Sequence, residues 1–170
     1  MNATQTPLGR FLPRHSQNAI EEALEDTRVV LIVGARQCGK STLVRQVTSG
    51  QDAILRDLDQ AAVRQAAEFD PETFVRESGM LVIDEIQRVP ELLLAIKSVV
   101  DEDQRPGQFL LTGSARLLGM RGVPDLLPGR AETIELWPLS QGEIDGTSDG
   151  FIDAIFELGP KFRHRSTEDR

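Results

Sequence analysis

Five stretches of the chain carry apolar runs short enough for strands, and the segments between them place apolar residues at helical spacing. Val29-Val30-Leu31-Ile32-Val33 is continuously apolar and rich in valine, the pattern of a strand covered on both faces. Met80-Leu81-Val82-Ile83 and Phe109-Leu110-Leu111 repeat that pattern. Thr133-Ile134-Glu135-Leu136 supplies a last strand, and residues 53–58 a weaker one. Ser16 to Thr27 predicts a helix, with Ser16 as cap and Ala19, Ile20, Ala23 and Leu24 on one face. Thr42 to Val47 continues as a helix after the first strand. Further helices are expected over Gln60–Phe69, over Pro71–Ser78 with Asp70 as cap, and over Pro90–Val100, whose apolar side is Leu92, Leu93, Ile96, Val99 and Val100.

The ends carry less pattern. Met1 to Arg10 reads as a loose lead-in, and order decays from Gly146 onward. Phe151–Leu158 has room for one or two helical turns, and Lys161-Phe162-Arg163-His164-Arg165 shows no period. No repeat or low-complexity segment interrupts the chain. Strands alternating with helices predict an α/β fold with a parallel sheet covered on both faces.

Composition agrees with a packed domain. Hydrophobic residues are 39% of 170, with 14 glycines besides, enough for a core and too many for a disordered tail. That length is one domain, or one piece of a larger protein. The formal charge is −8, and the acidic excess falls between residues 51 and 150. Nucleic acid is therefore not an indicated partner, because a general phosphate-backbone binder needs the opposite sign. The single Cys38 excludes a disulfide framework within the chain. No stretch reads as a signal peptide or a membrane span, so a soluble, cytoplasmic protein is expected.

The strongest chemical signal follows the first strand. Gly34-Ala35-Arg36-Gln37-Cys38-Gly39-Lys40-Ser41 fits the spacing G-x-x-x-x-G-K-[ST]. The glycines allow close approach, the loop amides form a nest for phosphate oxygens, and the helix N-terminus adds positive potential. Lys40 supplies a charge for the β- and γ-phosphates, and the Ser41 hydroxyl is a ligand for Mg²⁺. Gly34, Ala35, Arg36, Gln37, Cys38, Gly39, Lys40, Ser41 and Thr42 are thus the expected ATP contacts. The bland alternative is a glycine-rich turn that matches by chance.

The third strand ends in Asp84-Glu85, and in open α/β sheets ligands bind beyond the carboxyl ends of the strands. Asp84 suits the Walker-B role of holding Mg²⁺, and Glu85 is placed to activate a water. An acidic turn closing a strand is the plainer reading. Phe109-Leu110-Leu111 leads likewise to Thr112-Gly113-Ser114, where either hydroxyl is a candidate for the γ-phosphate or the attacking water; a turn that caps the next helix is the alternative. Arg116, Arg121 and Arg130 follow. Each can neutralise transition-state charge in its own chain or a neighbour's, and each alone is also an ordinary surface arginine. Arg130 is the best candidate of the three, because Pro128-Gly129 sets it at a turn before the last strand. His15 and His164 lack metal-site spacing, and Trp137 reads as packing.

With these residues in hand, the chain resembles the AAA+-type P-loop ATPases of bacteria and archaea, in the group whose ATPase core precedes a C-terminal domain of unknown function. The resemblance runs through Phe11-Leu12-Pro13-Arg14, Val33 to Thr42, Leu55-Arg56-Asp57-Leu58-Asp59, Ile83 to Leu92, Leu110 to Ala115, Leu127-Pro128-Gly129-Arg130 and Leu136-Trp137-Pro138-Leu139-Ser140. It implies a P-loop three-layer α/β/α sandwich with a mostly parallel five-stranded sheet in the order 5-1-4-3-2. It also implies the roles given above for Lys40, Ser41, Asp84 and Glu85, and a sensor position at Thr112 or Ser114. Cys38 departs from the small aliphatic residue usual at its position. The domain expectation is a lead-in over 1–15, an ATPase core over 16–145, and at 146–170 a connection cut short of a missing C-terminal domain. The expected function is Mg²⁺-dependent hydrolysis of ATP to ADP and phosphate, with a homo-oligomer neighbour or protein partner able to supply an arginine. Two alternatives stand beside it: a nucleotide-binding remnant without turnover of its own, and a small-molecule kinase using arginines between 116 and 130 as a phosphate lid.

Overall fold

In the computed structural model, which describes residues 5–6, 9–119, 127–146 and 156, all five apolar runs are strands. They are β1 (Val29–Gly34), β2 (Ala53–Asp57), β3 (Met80–Asp84), β4 (Phe109–Ser114) and β5 (Ala131–Leu136). The helices are α1 (Ser16–Asp26), α2 (Lys40–Val47), α3 (Ala61–Phe69), α4 (Pro71–Phe74), α5 (Leu92–Glu102) and α6 (Gln141–Asp145). The strands form one all-parallel sheet in the order β2-β3-β4-β1-β5, which is the expected 5-1-4-3-2. Arg14–Pro138 is one compact unit; the described residues of 1–13 and of 139–170 belong to a second.

Alternation along the strands builds the layers. Val29, Leu31 and Val33 of β1 join Leu81 and Ile83 of β3 and Phe109 and Leu111 of β4 on one face, under Ala67 of α3, Phe74 of α4 and Leu92, Leu93, Ile96 and Val100 of α5. Val30 and Ile32 join Val82 and Leu110 on the other face, under Ile20, Ala23 and Leu24 of α1 and Leu43, Val44 and Val47 of α2. A central strand buried on both faces cannot alternate apolar with polar residues, which is why these strands read as continuous apolar runs.

Several boundaries differ from the sequence expectation. The helix expected over 71–78 is a single turn. Asp70 caps it, accepting from the Thr73 amide at 3.0 Å, but the chain must then enter β3 in register with β2. Met80 pairs with Ala53, and a Cβ on Gly79 would stand 2.8 Å from the Asp52 carbonyl oxygen, so the bend before β3 packs closely against the start of β2. The next helix starts at Leu92, because Val89 to Glu91 close three-residue turns, such as the Leu93 amide to Pro90 carbonyl bond at 3.1 Å. The lead-in contains a short antiparallel ladder of Gln5–Thr6 with Gly9–Arg10. In the same unit α6 was not expected, although Ser140-Gln141-Gly142-Glu143 carries a capping-box spacing. The Glu143 amide donates to Ser140 Oγ at 3.1 Å, and the Ser140 amide to Glu143 Oε2 at 2.9 Å. Phe151–Leu158 (Phe156 aside) and Lys161–Arg165 lie outside the described residues.

At the sheet's amino end, Arg130 donates through Nε to Asp101 of α5, which also takes Lys97 at 3.1 Å. The Arg130 hydrogen bond, with help from Lys97, holds the Asp101 carboxyl below the usual carboxylate range. A carboxyl lowered in the folded state adds stability above the unfolded value, and that stability is lost as pH falls through the folded value. Arg130→Ala is therefore expected to lower the urea midpoint at neutral pH, with the difference from the parent shrinking as pH falls through and below the ordinary carboxylate range. A difference that stays constant from pH 7 to acid would disprove the ion-pair origin.

Candidate functional site

The loop between β1 and α2 owes its shape to its glycines. A Cβ on Gly34 would lie 2.3 Å from the Leu136 carbonyl oxygen of β5 and 3.0 Å from Cys38 Sγ, so only glycine lets strand, neighbour and loop meet there. Gly39 has φ +97° and opens α2, whose first bond runs from the Leu43 amide to the Gly39 carbonyl at 2.9 Å. Gln37 also lies in the left-handed region, at φ +64°, uncommon for a residue with a side chain. Gly34→Ala is expected to cost about 3 kcal/mol in chemical denaturation, because the atom in the way is backbone and the β1–β5 pairing would have to open. A parent-like midpoint would mean that β5 moves aside freely.

Lys40 is buried, and its ammonium donates to the Gly34 carbonyl at 3.1 Å and the Ala35 carbonyl at 2.9 Å. These bonds hold the charge across the loop. Arg14 braces the loop from outside, through Nη1 to the Cys38 carbonyl at 2.8 Å and Nη2 to the Trp137 carbonyl. It thereby ties the loop to the chain just beyond β5. The recess beside the loop measures about 390 Å³ and is lined by Gln37, Gly39, Lys40, Ser41 and Thr42 together with Glu85.

The acidic pair is organised by β4. Pairing of Ile83 with Leu111 sets Asp84 beside Thr112. Thr112 is fully buried; its hydroxyl donates to Asp84 Oδ1 and accepts the Glu85 amide at 3.1 Å. Glu85 leaves the strand with φ +62°, and the one-turn helix Ile86–Arg88 begins after it. Gln87 Nε2 donates to Glu85 Oε2, and Gln87 Oε1 accepts the Ser114 amide at 3.0 Å. A second cavity of about 710 Å³ shares Arg36 and Glu85 with the loop recess and is lined further by Gln87, Arg88, Ser114 and Arg116.

The residues singled out in the sequence thus fall into two groups. Arg36, Gln37, Gly39, Lys40, Ser41, Thr42 and Glu85 line one recess, whereas Cys38 is buried, and Asp84 and Ser114 end their strands. Thr112 and Ser114 separate: the Thr112 hydroxyl is engaged by Asp84 and the Glu85 amide, whereas Ser114 lines the second cavity. Arg116 lines that cavity too, and Arg121 lies outside the described residues. Arg130 is a correction. It precedes Ala131, which pairs with the first residue of β1, so it sits at the opposite end of the sheet. The length of a strand, about 17 Å, separates it from the loop, and it does not serve the site of its own chain. Pro128-Gly129 did set it at a turn, but at the wrong end. Arg14 and Gln87 were not assigned roles from the sequence: Arg14 bonds residues 24 and 123 positions away, and Gln87 is oriented by the Ser114 amide 27 positions away.

For a cation, the chain offers hard oxygen donors, the Ser41 hydroxyl and the Asp84 carboxylate, of the class Mg²⁺ takes. Among the described residues no cluster of three or more His, Cys, Asp or Glu could hold a metal. Such a pair fits an ion that takes its other ligands from phosphate and water.

Comparison with known proteins adds to this geometry. Residues 26–145 match the family model described as AAA domain. The uncharacterized proteins Rv2008c of Mycobacterium tuberculosis and Mb2031c of Mycobacterium bovis are each 34% identical over 161 residues, which covers 92% of this chain and 35% of theirs. The chain thus spans about a third of the length of these relatives. Among solved structures, AMPPCP-bound DnaA from Aquifex aeolicus superposes with a TM-score of 0.55 at 17% identity, covering 92% of this chain and 55% of that one. The Walker-type ATPase paby2304 of Pyrococcus abyssi superposes at 0.51 with 18% identity, covering 87% and 59%. At these identities the two structures speak for the fold alone.

Proposed function

The chain belongs to the AAA domain family, and from that premise we propose that it binds ATP with Mg²⁺ and hydrolyses it to ADP and phosphate. The observation that carries the reading is the recess that the Lys40 loop and Glu85 line together. The loop amides and the α2 N-terminus would hold the phosphates, with the Lys40 ammonium turned from the Gly34 and Ala35 carbonyls onto the β- and γ-oxygens. Ser41 and Asp84 would hold Mg²⁺, which when bound offsets phosphate charge. Thr112 orients Asp84 through its hydroxyl. Glu85 would accept the proton of a water aligned with the γ-phosphorus, and Ser114 is the nearer candidate for a hydroxyl contact in the neighbouring cavity.

Because Arg130 stands at the far end of the sheet, an arginine acting on transferred phosphate would come from Arg36, from Arg116, or from a second copy or protein partner. We take 16–145 as the nucleotide-handling core. No helix among the described residues is long and apolar enough to cross a membrane, and we place the protein in the cytoplasm.

The test is phosphate release by the 170-residue chain with ATP and Mg²⁺, alongside nucleotide titration. Binding with steady release supports hydrolysis. Binding without release supports a remnant, and release of ADP only with an added acceptor supports a kinase. No binding overturns the proposal.

A further inference from the structure

We propose that Gln87 is the positioning residue for the Glu85 carboxylate, held in turn by the β4 backbone; this rests on the hydrolytic reading above. The backbone of Glu85 is already pinned, since its amide donates to the buried Thr112 hydroxyl at 3.1 Å and its φ is +62°. Its side chain is not pinned by those contacts, and a glutamate has three rotatable bonds with which to leave the recess. The Gln87 amide supplies the missing restraint by donating from Nε2 to Glu85 Oε2, which leaves Oε1 to accept from a water.

A side-chain amide orients a partner only if it is itself oriented. Gln87 Oε1 accepts the Ser114 amide at 3.0 Å. That bond decides which end of the amide faces Glu85, because a backbone N–H must meet the oxygen and the NH₂ then points at the carboxylate. The turn that carries Gln87 is anchored by the buried Ile86 and by the Arg88 amide bonded to the Glu85 carbonyl at 2.9 Å. Gly113 makes room for the relay: a Cβ there would stand 3.2 Å from Gln87 Oε1 and 2.8 Å from Leu117 Cδ2. The parts repeat the logic of a base aligned by an orienting group that never meets substrate. They also run the β4 end, the Ser114 amide and the Glu85 carboxylate into one connected line, beside a cavity that Gln87 and Ser114 both wall.

The experiment compares the parent, Gln87→Met, Gln87→Asn, Glu85→Gln and the double variant of Glu85→Gln with Gln87→Met. Gln87→Met keeps the length and loses both hydrogen bonds; Gln87→Asn keeps an amide one methylene too short to span both partners. Steady-state phosphate release gives kcat and KM, and a fluorescent ATP analogue gives nucleotide affinity. Each Gln87 variant is expected to lose about 10–100-fold in kcat, as a misplaced base does, with nucleotide affinity unchanged. Gln87→Met on the Glu85→Gln background is expected to cost nothing further, since the two act as a unit. Parent-like kcat in a folded Gln87 variant overturns the proposal. So does an equal loss on both backgrounds, which marks a structural role independent of Glu85. A parent that releases no phosphate overturns the hydrolytic reading and this proposal together, whereas a hydrolysing parent with parent-like Gln87 variants overturns this one alone.

Discussion

Glu85→Gln is expected to bind ATP as the parent does and to release phosphate about 10²–10⁴-fold more slowly, the range over which a positioned acid–base group contributes. The substitution is nearly isosteric, so the left-handed backbone, the amide bond to Thr112 and a side-chain bond to Gln87 can all persist. What disappears is the one carboxylate among the described residues that line the recess. Affinity should hold because in the proposed reading the phosphates rest on the loop and Lys40, which the substitution leaves intact. Single-turnover quench with labelled ATP, beside equilibrium titration, separates the two quantities. Hydrolysis at the parent rate would remove Glu85 from the chemistry and shift attention to groups around the second cavity.

Lys40→Ala is expected to weaken ATP binding by about 3 kcal/mol, roughly a hundredfold, the scale of a lost charge-assisted hydrogen bond. Lys40 is the buried cation of the loop, and its present partners are two main-chain carbonyls that any water can satisfy once the ammonium is gone. The fold should therefore survive while the ligand is lost. Nucleotide titration reads the affinity directly, and the rise in melting temperature with added ATP should vanish in the variant while its ligand-free melting stays near the parent's. Equal ATP affinity in both proteins would mean that phosphate does not sit on this loop. The pair of variants also discriminates: one loses the ligand, the other loses only the chemistry.

The glycine-rich loop and the acidic pair were legible in the sequence, because each is a local arrangement. Gly34, Gly39, Lys40 and Ser41 are fixed by spacing within one turn, and Asp84-Glu85 sits at the end of an apolar run that can only be a strand. The α6 capping box is equally local, but the helix it opens is only five residues long, too short to show an apolar period. Arg130 was misjudged for another reason. Pro128-Gly129 correctly marked a turn, but a turn before a strand lies at that strand's amino end, and in a parallel sheet that is the end away from the ligands. Topology, not motif, decides which turns reach the site.

What the chain alone determined is therefore what nearest neighbours in sequence determine: strands buried on both faces, helices at their period, a glycine-rich loop opening a helix and two carboxylates at a strand end. Strand order entered through family resemblance, and parallel pairing then gave it physical form. Only the tertiary structure decided that Thr112 would hold Asp84, that Arg14 would brace the Cys38 carbonyl against Trp137, and that Gln87 would join Glu85 to the Ser114 amide. Those partners lie 24 to 123 residues apart, except for the adjoining Glu85 and Gln87. A hydrogen bond works over about 3 Å and carries no trace in local periodicity. Such contacts arise only once the sheet has set the strand ends side by side.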